Sequence, residues 1–191
     1  GFIGPLTGNA AVIGLVEKNV VDIAVDEINS NWEIKGRKLE MIYEDGKCEG
    51  KYAASAAQKL INIDNVKILF VVCSSENLAV APIAENNKVI QFTAYAGNPK
   101  ISYAGDFVFR NVNSDRDTAK IAAETIIKEH NKLGILTEQS DYSKGIQQGL
   151  IEEFTKIGGD VFYEEYALNS LDLRTQITKI LNNKVDAFFI N

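Results

Sequence analysis

The feature that most constrains the fold is a regular alternation of strand patterns and helix patterns along the whole chain. Strand-like segments are short, and the apolar run Lys67–Val72 has the composition of a strand covered on both faces. Helix-like segments carry apolar residues three and four positions apart, as in Ala11–Ile28. Strands that alternate with helices through short loops form parallel sheets. The sequence therefore predicts an α/β fold of doubly wound parallel sheets.

The same pattern gives the order of the elements and a domain boundary. Strands are expected at residues 1–4, 39–43, 67–72, 89–93, 107–109, 132–137, 161–166 and 187–190. Helices are expected at residues 11–28, 52–63, 77–86, 115–130, 142–157 and 172–181. A fresh series of strands and helices starts near Asn111–Ser114, so we predict a first lobe of residues 1–112 and a partial second lobe of residues 113–191.

Composition excludes several classes of function. The formal net charge of −6 argues against nucleic acid and anionic membrane as partners, and no apolar run is long enough to span a bilayer. His130 is the one histidine, and no phosphate-binding glycine motif or cluster of histidines and cysteines occurs. Asp45, beside Glu44, is interpreted as a solvated strand end rather than a metal ligand. We therefore expect no catalytic residues, no metal and no cofactor.

Binding has better candidates than catalysis. Ligands of doubly wound sheets lie beyond the carboxyl ends of the strands, where helix N-termini present free N–H groups. Three loops at such positions are small and polar, namely residues 4–9, 73–75 and 93–99. Ser74 is the leading candidate for direct ligand contact, and we expect it to face an open crevice. Ser75 either contacts the ligand or caps the following helix.

The two cysteines, Cys48 and Cys73, each lie at the end of a predicted strand, where a loop begins. Neighbouring ends of parallel strands can bring two such residues within disulfide distance. Free cysteine is also among the residues most often buried as a small apolar side chain. The residues alone leave both readings open.

The chain contains six segments in this order: GPLTG, AVDEINS, IKGRKLEMIYEDGKCEGKYAASAAQKLI, VVCSSENLAVAPIAENN, YAGNPKIS and FVFRNVNSD. Together they resemble the type 1 periplasmic binding proteins of the leucine/isoleucine/valine class. The resemblance implies two Rossmann-like lobes with the ligand in the cleft between them. It implies a non-enzymatic solute-binding protein of an ABC importer, with a membrane permease as its partner. Family members are much longer than this chain, so the second lobe is expected to be incomplete.

The resemblance also assigns roles to individual residues. Ser74 matches a serine that binds the ligand's carboxylate, and Tyr95 stands where a backbone group meets its amino end. Tyr142 matches a tyrosine that closes over the ligand, although an exposed tyrosine at a helix start would look the same. Gly97 replaces the usual threonine or serine, and Ile13 replaces a residue that is often aromatic. The expected ligand-binding set is Ile13, Cys73, Ser74, Ser75, Tyr95, Gly97 and Tyr142.

Two further expectations follow from the resemblance. Cysteines at the positions of Cys48 and Cys73 form a disulfide in similar family members, which implies a periplasmic or extracellular location, with or without a lipid anchor. The ligand is expected to be a small amino acid of the branched-chain type. The missing hydroxyl at Gly97 also permits an amide or urea-like solute. A ligand-sensing receptor ectodomain, an enzyme on a Rossmann-like sheet and a plain interaction module are the alternatives.

Overall fold

The computed structural model describes residues 1–31 and 34–191, and contacts between residues divide these into two compact units. The first unit comprises Gly1–Ala96 and Ile101–Val112. The second comprises Gly97–Lys100 and Asn113–Asn191. Each unit has its own parallel sheet and its own apolar core, as the α/β prediction requires.

The first unit contains a five-stranded parallel sheet in the order β2-β1-β3-β4-β5. Its strands are β1 (Phe2–Gly4), β2 (Tyr43–Asp45), β3 (Ile68–Val71), β4 (Ile90–Thr93) and β5 (Val108–Arg110). Its helices are α1 (Ala11–Asn31), α2 (Gly50–Asn62) and α3 (Ser74–Asn87), and a 3₁₀ turn spans Pro99–Tyr103. β2 lies on one side of the central pair β1 and β3, and β4 and β5 lie on the other side. The position beyond the carboxyl ends of β1 and β3 is therefore the topological switch point of the sheet.

The two faces of this sheet are covered unequally. One face packs against α2 and α3, where Leu69 and Val71 of β3 and Leu60 of α2 are fully buried. The other face carries the alternate side chains of β3, of which Ile68 is 56% exposed. On this face Phe70 is half-buried and Val72 is fully buried, so the predicted cover on both faces is only partial.

Helix α1 lies on that second face. Its partly buried residues Ile13 and Val21 pack with Phe2, whose ring is stacked on Phe70 with 5.9 Å between the ring centroids. The more regular apolar stripe of α1 points away from this cluster and is exposed, at Val12, Leu15, Val16, Val20 and Ile23. Periodicity thus located the helix correctly without showing which of its sides meets the sheet.

Several element boundaries differ from their predictions, among them the starts of β2 and α3 and the end of α4. β2 begins at Tyr43 instead of residue 39, and the backbone N–H and C=O of Leu39 bond the side chain of Asn29 at 2.7 and 2.9 Å. α3 begins at Ser74, three residues early. α4 ends at Ile126, so His130 lies beyond the helix instead of in its last turn, and its N–H donates to the Ile126 carbonyl at 3.0 Å.

The second unit contains a three-stranded parallel sheet in the order β7-β6-β8. Its strands are β6 (Lys132–Glu138), β7 (Asp160–Tyr166) and β8 (Ala187–Ile190), and its helices are α4 (Asp115–Ile126), α5 (Asp141–Lys156) and α6 (Arg174–Leu181). Ser114 and Ser140 cap α4 and α5 by accepting the N–H groups of Arg116 and Ser143. The core forms where these helices meet β6, around Leu133, Ile135 and Phe154.

The disulfide between Cys48 and Cys73 closes a loop with a sequence separation of 25 in the first unit. We expect the double variant Cys48→Ser/Cys73→Ser to lose about 3 kcal/mol of unfolding free energy, because the open chain has more conformations to lose on folding. Urea unfolding followed by circular dichroism measures the loss. A reducing agent should shift the wild-type transition toward that of the variant and leave the variant unchanged; identical transitions without reductant would contradict the expectation.

Candidate functional site

The candidate site lies at the carboxyl ends of β1 and β3, where α3 begins. The predicted disulfide is confirmed: it joins Cys48, in the loop after β2, to Cys73, the N-cap residue of α3, with the two Cα atoms 5.3 Å apart. The Ser75 hydroxyl reinforces this link by donating to the Cys48 carbonyl at 2.5 Å. One covalent bond and one hydrogen bond therefore hold the loop after β2 against the first turn of α3.

Glu76 supplies a second tie at the same place, and sequence reasoning missed it. Its side chain is fully buried, its Oε2 accepts the Cys73 N–H at 2.8 Å, and its Oε1 accepts the Cys48 N–H at 3.0 Å. Burial raises the pKa of Glu76 to about 7, against the lowering effect of the two N–H donors. The available signal was the spacing Cys73-x-x-Glu76, which is that of a capping box.

Asp45 anchors the loop between β1 and α1. Its carboxylate accepts the N–H groups of Leu6 at 2.9 Å and Lys47 at 3.1 Å, and both the N–H and the hydroxyl of Thr7. Burial by itself would raise the pKa of Asp45, but these hydrogen bonds outweigh burial and the pKa lies below its usual value. The interpretation of Asp45 as a plain solvated strand end is therefore wrong, because this residue organises the GPLTG loop.

Ser74 is the first residue of α3 and is only 4% exposed. This differs from the expectation that it faces an open crevice. Its hydroxyl is buried and has no hydrogen-bond partner within residues 1–31 and 34–191. The N–H groups of the first helical turn have no acceptors inside their own helix. The buried Ser74 hydroxyl therefore lies next to the N–H groups at the N-terminus of α3.

Ile13 and Tyr95 belong to the same unit as Ser74. Ile13, in the first turn of α1, packs on the cluster of Phe2, Val72 and Cys73. Tyr95 follows β4 and is 45% exposed. Its N–H and that of Ala96 donate to the Thr93 hydroxyl at 3.3 and 3.1 Å, which fixes the backbone of this loop.

Gly97 and Tyr142 belong to the second unit. Gly97 is buried, its carbonyl accepts the Asp115 N–H at 2.8 Å, and a Cβ at this position would lie 2.1 Å from Asp115 Oδ1. The space that a threonine or serine would need is thus taken by a carboxylate. Tyr142 is the second residue of α5 and is 50% exposed, which fits both roles considered for it.

Two features are absent from the described residues. In the part of the chain with assigned structure, no helix has both the length and the apolar composition that a bilayer crossing needs. The same residues contain no group of histidine, cysteine, aspartate or glutamate side chains arranged to hold a metal ion.

Known proteins of similar sequence and structure are binding proteins. The Leu/Ile/Val-binding protein of Escherichia coli K12 is 25% identical over 189 residues, covering 96% of this chain and 51% of that protein. The leucine-binding protein LivK of Thermotoga maritima superimposes with a TM-score of 0.90 at 28% identity, over 99% of this chain and 54% of that one. An ABC-transporter solute-binding protein of Rhodopseudomonas palustris, bound to 3,4-dihydroxybenzoic acid, gives 0.83 at 24% identity, over 100% of this chain and 53% of that one, and shows the fold alone.

These relatives agree with the predicted fold and with the expectation of a binding protein rather than an enzyme. The chain spans about half the length of the relatives it matches. A family model described as periplasmic binding protein matches residues 1–191. The chain therefore belongs to the periplasmic binding protein family.

Proposed function

We propose that this chain is part of an extracytoplasmic solute-binding protein of an ABC importer, and that it binds the carboxylate of a small amino acid at the N-terminus of α3. The observation that carries the proposal is the Ser74 hydroxyl, which is buried without a partner in the described residues at the first position of that helix. The disulfide supports export, because such bonds persist in oxidising compartments.

A carboxylate satisfies this site better than water or an apolar group. A buried hydroxyl without a partner costs about 1–3 kcal/mol, and a charged acceptor removes that cost with a stronger hydrogen bond. The N–H groups of Ser74 and Ser75, which have no acceptor inside the helix, and the positive end of the helix dipole favour the same negative charge. Both effects act on one ligand group, so the ligand's acid end is the part that α3 recognises.

The relatives suggest the rest of the ligand. The E. coli relative is named for leucine, isoleucine and valine, and the T. maritima relative for leucine. Ile13, which packs on the cluster that contains Cys73, offers an apolar surface that suits such side chains. Aromatic acids, amides and urea-like solutes are the alternatives, since the fold in R. palustris holds a dihydroxybenzoic acid and Gly97 lacks a hydroxyl.

Other roles remain predictions. Backbone contact by Tyr95, closure by Tyr142 and delivery of the ligand to a membrane permease follow from the family resemblance. A receptor ectodomain of the same family would bind its ligand in the same way and would differ by a membrane-spanning segment elsewhere in the protein. Mass spectrometry of the ligand that co-purifies with the full-length protein would identify the solute without a prior choice of candidates.

The first test is the substitution Ser74→Ala in the full-length protein. We expect the affinity for L-leucine to fall about 5- to 100-fold, because the ligand carboxylate loses a charge-assisted hydrogen bond. Isothermal titration calorimetry measures the change. Ser55→Ala is the matched control, since Ser55 lies on the exposed side of α2. Equal affinities of the Ser74→Ala and Ser55→Ala proteins would contradict the role of Ser74.

The second test concerns the space available for a side chain at Gly97. We expect Gly97→Ala to cost about 1–3 kcal/mol of stability, because its Cβ would overlap the Asp115 carboxylate. The cost should shrink when the same change is made in an Asp115→Ala background, and persist in an Asp115→Asn background of equal side-chain size. Thermal unfolding of wild type and of the five variants, three single and two double, measures the coupling. Full additivity in the alanine background would show that Asp115 does not occupy this space.

A further inference from the structure

We infer that Glu76 sets the charge that the proposed site accepts: an ionised Glu76 disfavours a carboxylate ligand at the N-terminus of α3, and a protonated Glu76 admits one. The inference rests on the proposed function, because it concerns the same binding site. It makes Glu76 a specificity-determining residue that acts without touching the ligand.

The geometry fixes Glu76 in the turn that would hold the ligand. Glu76 lies two positions after Ser74, and its Oε2 accepts the N–H of Cys73, the residue directly before Ser74. The side chain is 0% exposed, so water and salt screen its charge only weakly. An ionised Glu76 therefore offsets the positive end of the α3 dipole on which an anionic ligand depends.

The surrounding charges do not neutralise Glu76. Asp45, at the end of β2, raises the pKa of Glu76 further. The loop after β2 contributes Lys47 and Glu49, and α2 begins with Lys51, which pairs with Glu49 at 3.1 Å. All three side chains are exposed, and within the described residues no ion pair joins either lysine to Glu76. The proton is therefore the species available to cancel this charge.

Protonation changes the charge while leaving the site in place. A neutral carboxyl group can keep one of the two N–H bonds, and the disulfide holds Cys48 against Cys73 in either state. A bound carboxylate adds a like charge nearby, which raises the pKa of Glu76 above its value of about 7 in the free protein. Binding of an anion then takes up a proton, so affinity falls as the pH rises through this range.

The test compares L-leucine with L-leucinol, which carries a hydroxymethyl group in place of the carboxylate, on the full-length protein. We expect the dissociation constant of L-leucine to rise about five- to tenfold between about pH 6 and pH 8.5, for a one-unit increase in the pKa of Glu76 on binding. We expect that of L-leucinol to stay constant. Glu76→Gln should remove the pH dependence for L-leucine.

Glu49→Gln is the matched control, because it removes one negative charge from the exposed part of the same loop. This variant should keep the wild-type pH profile. An equal pH dependence in wild type and Glu76→Gln would overturn the inference and leave the proposed function intact. Failure of wild type to bind L-leucine at any pH would overturn the proposed ligand and this inference together.

A second measurement requires no variant and covers the case in which Glu76→Gln does not fold. Calorimetric titration of wild type with L-leucine in PIPES and in Tris, two buffers of different ionisation enthalpy, counts the protons exchanged on binding. We expect an uptake of about half a proton near pH 7.5 for the same increase in pKa. Binding with no proton uptake would overturn the inference.

Discussion

The link between Cys48 and Cys73 is the constraint on which the rest of the candidate site depends. It ties the loop after β2 to the first residue before α3, and so fixes the helix N-terminus at the switch point of the sheet. The Ser75 hydroxyl adds a hydrogen bond to the Cys48 carbonyl, and the Glu76 carboxylate accepts the N–H groups of both cysteines. A helix N-terminus held this firmly can present its N–H groups without first being ordered, which is how preorganisation favours binding.

The acids around this link have opposite environments, and this divides their roles. Asp45 accepts enough hydrogen bonds to stay ionised, and its carboxylate holds the GPLTG loop through Leu6 and Thr7. Glu76 accepts two N–H groups but is deeper, and burial prevails. One carboxylate is therefore a fixed structural anchor, while the other changes charge near neutral pH.

Sequence patterns predicted most of the fold because strand and helix periodicities are local. They did not show which side of α1 meets the sheet, since Val12, Val16 and Val20 are as apolar as the residues that pack inward. The local pattern also placed the start of β2 at residue 39, where the backbone instead bonds the side chain of Asn29. Ser74 was proposed from its predicted position in the topology, whereas Glu76 was missed because glutamate is rarely fully buried.

The close approach of Gly46 to Glu76 has an evolutionary consequence. A Cβ at residue 46 would lie 2.1 Å from Glu76 Oε1 and 2.9 Å from a methyl group of Ile3, so the carboxyl group fits only against a bare backbone. A relative with a side chain at position 46 must carry a shorter residue at position 76 or move that helix turn. The two positions should therefore covary, with glycine at position 46 wherever position 76 keeps a buried acid beside the disulfide.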